Sequence, residues 1–224
     1  MSDNVIIISI WSSIKLGQII FLRHGQAKNN TERILAGRTE GFPLTETGIK
    51  QSEHTAELLK HMNISAIYSS PIERAKHTAE IVGKHNSLDV TIDDRLNELD
   101  MGKFTGMPYD EIFKSHGNVF MKFYNSELEI AHNGVETFPD VKKRILGIVD
   151  YVIEKHPNEN VLLVTHMDPI KAMLSTIIDL SPTNLYELII ANASLNIFSE
   201  KDGKYSLSGL NVMDPSRFDQ VGSL

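Results

Sequence analysis

Cysteine is absent from this sequence. Disulfides, thiol catalysis and cysteine-ligated zinc are thereby excluded, and a reducing, cytoplasmic setting is expected. Long hydrophobic runs are absent too: "VIIISIW" at 5–11 is too short to span a bilayer. No basic residue precedes it and no small-residue cleavage site follows, so a secretory signal is not expected. Residues 1–16 read as an N-terminal extension: an added edge strand, an apolar segment packed on a neighbour, or a start without function. Positive charge is scarce, with 22 Lys and Arg against 29 Asp and Glu and a formal net charge of −7. That balance argues against a general nucleic-acid or anionic-membrane binder, so an anionic ligand has to be drawn by a local cluster of cations. Also missing is a Gly-x-x-x-x-Gly-Lys-Ser/Thr loop, which removes a P-loop nucleotide-binding reading. No His-x-x-x-His helix pair occurs, and "HMD" alone is a poor metal signal, so no metal is expected.

What is present fits one globular domain. Hydrophobic residues make up 41% and charged residues 23% of 224, enough for a sizeable core, and no repeat or low-complexity linker divides the chain. Strands and helices alternate. "IIFL" at 19–22, "AIY" at 66–68 and "VLLVT" at 161–165 read as buried strands. Ile49, Ala56, Leu59 and Met62 fall roughly on one helical face, and Val141, Ile145, Val149 and Val152 form a clearer stripe. This predicts an α/β fold with a mainly parallel central sheet between helical layers. "SLNIFS" and "KYSLSGL", joined through "EKDG", predict a hairpin at the sheet edge. The domain is bounded at 17–213, with 214–224 as a loose tail.

The three short strands end alike. The first runs into Arg23-His24-Gly25. The second runs into "SSPIERAKHTAEIV", where Ser70 suits an N-cap and Pro71 the first helical position, placing Arg74 in the first turn. The third runs into His166, with Asp168-Pro169 repeating the cap-then-proline signal. Ligands of open parallel sheets bind at the carboxyl ends of strands, where helix N-termini offer free N–H groups to anions. Arg23, His24, Arg74 and His166 can therefore converge on a phosphate or similar oxyanion. Taken singly each is ordinary: Arg74 reads as a solvated helix residue, and His24 and His166 as histidines bonded at strand ends. The seven other histidines have no such placement.

The chain from about Gly17 to Leu210 resembles the histidine phosphatase superfamily, also called phosphoglycerate-mutase-like. "LRHG" at 22–25 is similar to its signature, with Asn30 behind it. "PLTETG" at 43–48, "SSPIERAKHTAEIV", "LNELDMGKFTG" at 96–106, "NGVETFPDVKKRI" at 133–145 and "VTHMDPI" at 164–170 follow in the family's order. A lone Arg-His-Gly carries little; six ordered blocks carry the resemblance. It implies a three-layer α/β/α fold and a phosphohistidine formed on His24. It further implies that Arg23, Arg74 and His166 hold the transferring phosphoryl oxygens and that Glu98 is the proton donor and later base. Asn30 is implied as a phosphate support, and Arg38 as a second anion contact. Thr105, Thr137 and Met167 are expected to line the pocket, and Glu136 stands next in line as an acid. Met167, Val135 and Ala36 depart from the family pattern, none at a charged core position.

Both a phosphatase and a 2,3-bisphosphoglycerate-dependent mutase fit the resemblance. Family mutases carry Glu-Arg-x-Tyr-Gly after the acid and then a basic insert. Here "NELDMGKFTG" and a roof over 107–134 supply only Lys114 and Lys122 as strong bases, beside Phe113, Phe120, Phe123 and Tyr124. The expectation is a phosphomonoesterase without cofactor, with 2,3-bisphosphoglycerate required only in the mutase alternative; a non-catalytic phospho-ligand binder is the rival from another class. The implied partner is a small phosphorylated metabolite, with no nucleic acid and no membrane; a homodimer is compatible.

Overall fold

A computed structural model describes residues 17–127 and 134–213. The extension read over 1–16, the tail over 214–224 and the last part of the roof, 128–133, lie outside the described residues. Four strands form the parallel part of the sheet: β1 (Gln18–Arg23), β2 (Ile64–Ser69), β3 (Val90–Ile92) and β4 (Asn160–Thr165). The hairpin strands β5 (Leu195–Lys201) and β6 (Lys204–Val212) complete it, in the order β3-β2-β4-β1-β5-β6. Pairings among β1 to β4 are parallel, whereas β1–β5 and β5–β6 are antiparallel. The mainly parallel sheet and its edge hairpin are therefore as expected.

Alternation along β1 explains the layers. Ile19 and Phe21 face one side and join Val141, Ile145, Val149 and Val152 of the long helix Phe138–Lys155 in one core. Ile20 and Leu22 face the other and join Ala56 and Leu59 of helix Glu46–Leu59 and Ala75, Ala79 and Val82 of helix Glu73–Asn86. A strand covered on both faces reads as a continuous apolar run. Each buried Ile, Leu or Phe contributes about 1.5–3 kcal/mol of transfer free energy. In chain order the helices are α1 (Lys28–Glu32), α2 (Glu46–Leu59), α3 (Glu73–Asn86), α4 (Tyr109–His116), α5 (Val119–Tyr124), α6 (Phe138–Lys155), α7 (Met167–Leu174) and α8 (Pro182–Glu187).

Two helix starts differ from the sequence expectation. Helix α3 begins at Glu73 with Ile72 as N-cap; Ser70 instead accepts from Ile72 N–H at 3.3 Å and shapes the preceding turn. Arg74 still lies in the first turn. Helix α7 begins at Met167 with His166 itself as N-cap, so Asp168 and Pro169 sit inside the first turn. Proline is tolerated there because first-turn N–H groups have no intrahelical partner.

Two glycines meet where β1 hands over to α2. A Cβ on Gly48 would stand 2.0 Å from the Gln26 carbonyl oxygen, and one on Gly25 would stand 2.4 Å from that of Gly48. Only hydrogen fits between these backbones. The glycine of "RHG" and the glycine of "TETG" thus clamp the loop after His24 onto the start of α2.

Candidate active site

Strand register brings three chain ends level. Arg23 pairs with Thr165 and Ser69 with Val164, so His24, His166 and Ser70 stand in a row at the carboxyl edge. The ladder continues past the strands: His24 N–H donates to Thr165 O and Ser70 N–H to Val164 O, both at 3.0 Å. The His24 and His166 rings meet edge to face with centroids 5.2 Å apart.

Hydrogen bonding sets the His24 tautomer. Nδ1 lies 2.7 Å from the Gly25 carbonyl oxygen, which can only accept, so Nδ1 carries the proton. Nε2 is left with a lone pair, onto which Arg74 Nε donates at 3.2 Å. Burial, then the charges of Arg74 and Arg23, push the His24 pKa well below the usual histidine range. A neutral imidazole with an unprotonated Nε2 is a nucleophile.

Around it lies an incompletely bonded set of nitrogen atoms. Arg74 Nη2 donates to Gly37 O at 2.8 Å and Arg23 Nη1 donates to Ile190 O. His166 Nε2 lies 3.0 Å from Ser70 Oγ. Arg74 Nη1, Arg23 Nε and His166 Nδ1 are buried and have no partner among the described residues. Burial, followed by Arg74, holds His166 well below the usual range, and burial also lowers Arg23 and Arg74. Leaving such groups unpaired costs about 1–3 kcal/mol each, more for charged ones, and a tetrahedral oxyanion has the acceptors to meet them.

Glu98 lines the same pocket. Its Oε1 accepts from Leu99 N–H at 2.9 Å. Burial first, then the neighbouring Asp168 carboxylate, raise its pKa to about 7 against the pull of Leu99 N–H, Arg74 and Arg23. A carboxyl poised near neutrality can both give and take a proton. Asn30 also lines the pocket; its Oδ1 accepts from Ala27 N–H and Asn192 Nδ2, which turns its amide nitrogen to other duty.

The pocket lining joins Arg23, His24, Asn30, Arg74, Glu98 and Met167 from the sequence reading, with Ala36 and Phe120. His166 is not among the lining residues but is in ring contact with His24. Arg38, Thr105 and Thr137 are not among the lining residues. Arg38 is ion-paired to Glu136, Thr105 packs on Gly37, and Thr137 caps α6. Glu136 is bound by Arg38 and Arg144 and does not face the pocket. Of the roof aromatics, Phe123 is core and Tyr124 is buried, donating to Asp168. Tyr109, Asn29, Met101 and Asp168 also line the site, none of them a site residue on the sequence reading. Asp168 in "THMDP" was legible only as a cap, and Tyr109 only as a roof residue. Burial, followed by Glu98, pushes the Tyr109 hydroxyl up to about 12, so it stays protonated.

Among the described residues no group of three or more His, Cys, Asp or Glu could hold a metal ion, and no helix is long and apolar enough to cross a membrane. A larger cavity, about 200 Å³, lies at the other end of the sheet between Ile19, Val152, Ile153 and Val161, rimmed by Glu159 and Glu200. Its carboxylates do not suit an anion.

The chain matches the family model of the histidine phosphatase superfamily (branch 1) over residues 19–213. It is 33% identical to a 2,3-bisphosphoglycerate-dependent phosphoglycerate mutase of Thermoplasma acidophilum, over 88% of this chain and 95% of the relative. It is 26% identical to phosphoserine phosphatase 1 of Hydrogenobacter thermophilus, over 87% and 92%. Bacillus stearothermophilus YhfR superposes with a TM-score of 0.80 at 29% identity, covering 88% of this chain and 97% of that one. A mycobacterial glucosyl-3-phosphoglycerate phosphatase complexed with VO3 superposes at 0.77 and 26%, covering 88% and 99%. The chain belongs to the histidine phosphatase superfamily, and its relatives there include phosphatases and phosphoglycerate mutases.

Proposed function

We propose that this protein hydrolyses small phosphomonoesters through a phosphohistidine at His24. The observation that carries the reading is the His24 Nε2 lone pair, fixed by the Gly25 carbonyl and faced by Arg74, beside buried nitrogens of Arg23 and His166. In the first step Nε2 attacks phosphorus, a P–N bond forms and the P–O ester bond breaks. Glu98 gives its proton to the departing alcohol. Arg23, Arg74 and His166 carry the charge that builds on the phosphoryl oxygens, and Asn30 and the Met167 N–H at the start of α7 support them. In the second step Glu98 takes a proton from water, the P–N bond breaks, and orthophosphate leaves. No metal enters this chemistry, and the setting is cytoplasmic.

The mutase is the second reading, favoured by the Thermoplasma relative. A mutase must hold a second anionic group beside the transferred phosphoryl. Beside the cradle, the described lining includes Leu35, Met101, Tyr109, Phe120 and Met167 with the carboxylates Glu98 and Asp168, and among the described residues its arginines are Arg23 and Arg74 of the cradle itself. A second phosphate finds no further arginine or lysine among these described lining residues. A silent binding relative is disfavoured by the complete set of His24, Arg23, Arg74, Glu98 and His166.

The test is turnover of a panel of phosphomonoesters by wild type and His24→Ala, with trapping of an acid-labile, base-stable phosphoprotein. His24→Ala should fold and be inactive. Appreciable turnover by His24→Ala would refute the nucleophile. Interconversion of 3- and 2-phosphoglycerate that outpaces phosphate release and needs 2,3-bisphosphoglycerate would select the mutase.

A further inference from the structure

Glu98 sits on a stretch, Asn97–Asp100, that belongs to neither helix nor strand. Backbone carbonyls there have no ladder to bond to, yet each needs a donor when buried. Two arginines supply it. Arg38 Nε donates to Glu98 O at 2.9 Å, and Arg144 Nη2 reaches the same oxygen at 3.3 Å. Arg144 Nη1 further donates to Asn97 O at 2.6 Å and Arg95 O at 2.8 Å.

Glu136 ties the arginines together. It accepts from Arg144 Nε at 2.8 Å and Nη2 at 3.0 Å, a bidentate pair, and from Arg38 Nη2 at 2.9 Å. Its own backbone N–H donates to Asp100 O at 2.8 Å, so the segment is gripped on both sides of Glu98. Glu136 and Arg144 side chains are only 15% exposed, where such pairs hold their geometry better than on an open surface. Arg38 follows Gly37, whose carbonyl accepts from Arg74. One short loop therefore touches both the phosphate-facing guanidinium and the backbone of the acid.

We propose that Arg38, Glu136 and Arg144 are positioning residues for Glu98, holding its backbone so that its carboxyl faces the leaving-group oxygen. This rests on the reading of Glu98 as the proton donor. The role differs from the anion contact implied for Arg38 and from the reserve acid implied for Glu136.

The experiment compares Arg38→Ala, Arg38→Lys and Glu136→Gln with wild type and Glu98→Gln. First-step rates are measured in single turnover with an alkyl phosphate, glycerol 2-phosphate, and with p-nitrophenyl phosphate, whose phenolate leaves without a proton. Inhibition by inorganic phosphate is measured alongside. A displacement of about 1 Å in a catalytic group costs on the order of 100-fold. Arg38→Ala and Glu136→Gln should therefore lose about 10–100-fold with glycerol 2-phosphate and less than about threefold with p-nitrophenyl phosphate. Phosphate inhibition should not change, and Arg38→Lys should recover part of the loss. Arg38 is partly exposed, so its variants keep the fold even where Glu136→Gln loosens it. Equal losses with both substrates, or phosphate inhibition weakened in step with rate, would overturn the proposal. A Glu98→Gln variant lacking leaving-group selectivity would remove the acid assignment beneath it, a pattern distinct from failure of the arginine and Glu136 variants alone.

Discussion

Glu98→Gln should make the protein more stable while disabling it, and by an amount that depends on pH. The residue is half-buried in the pocket it shares with Asp168, and its pKa rises from the ordinary 4.5 to about 7. An acid with a raised folded-state pKa prefers to be neutral in the fold. Below about pH 4.5 it is protonated folded and unfolded, and contributes no difference. As pH rises toward 7 the unfolded chain ionises freely while the folded one cannot, so stability drains away across that window and then levels off. A displacement of 2.5 units at 1.36 kcal/mol per unit gives about 3 kcal/mol above pH 7. Glutamine keeps the shape and still accepts from Leu99 N–H but carries no charge, so it escapes the penalty. For a domain of this size about 3 kcal/mol corresponds to a Tm gain on the order of 10 °C. Thermal melts of both proteins from pH 4 to 8.5 should coincide at the acid end and separate between pH 5 and 7. A gap that is constant with pH, or wild type the more stable above pH 7, would refute the reasoning.

Asp168→Asn should lower the Glu98 pKa, because the second cause of its elevation is the Asp168 charge. The alkaline limb of the pH–rate profile for an alkyl phosphate should then move to lower pH, while p-nitrophenyl phosphate changes little in its first step. Gly48→Ala drives a Cβ into the Gln26 carbonyl and should cost about 1–3 kcal/mol in melts and much of the activity. Gly147→Ala, in α6 with nothing within 4 Å of the new Cβ, should gain about 0.5–1 kcal/mol. Activity should survive exhaustive EDTA treatment; loss on chelation, restored by a divalent ion, would contradict a cradle of arginine and histidine.

The parts legible in the sequence are those where local pattern and tertiary role coincide. An apolar run ending in Arg-His marks a strand end because burial on both faces demands the run. The stripe Val141, Ile145, Val149 and Val152 marks a helix face for the same reason, and all four are buried. Strand β3 carries no strand signal of its own, because "VTI" is three residues with two of them exposed, and pairing with β2 makes it a strand. The resemblance implies an anion contact for Arg38, but a long flexible side chain can turn either way, and Glu136, 98 residues on, draws it to an ion pair. Asn192, bonded to His24 O and to Asn30, arrives from the far end of the chain with no motif around it. Asp168 looked like a cap because Asp-Pro usually is one; the helix starting at Met167 turned it toward Tyr124 and Glu98's pocket.

The buried nitrogens of Arg23, Arg74 and His166 do not distinguish an ester from what is left after it is cut. Orthophosphate presents the same oxygens to them, so on the hydrolytic reading proposed above the product would compete with incoming substrate. Phosphate around such a hydrolase would then act as a brake on its throughput. By mass action it is also a preservative, since a ligand held only by the folded chain raises the temperature at which that chain melts. A protein working slowly in a phosphate-rich medium would thus be a better-protected one.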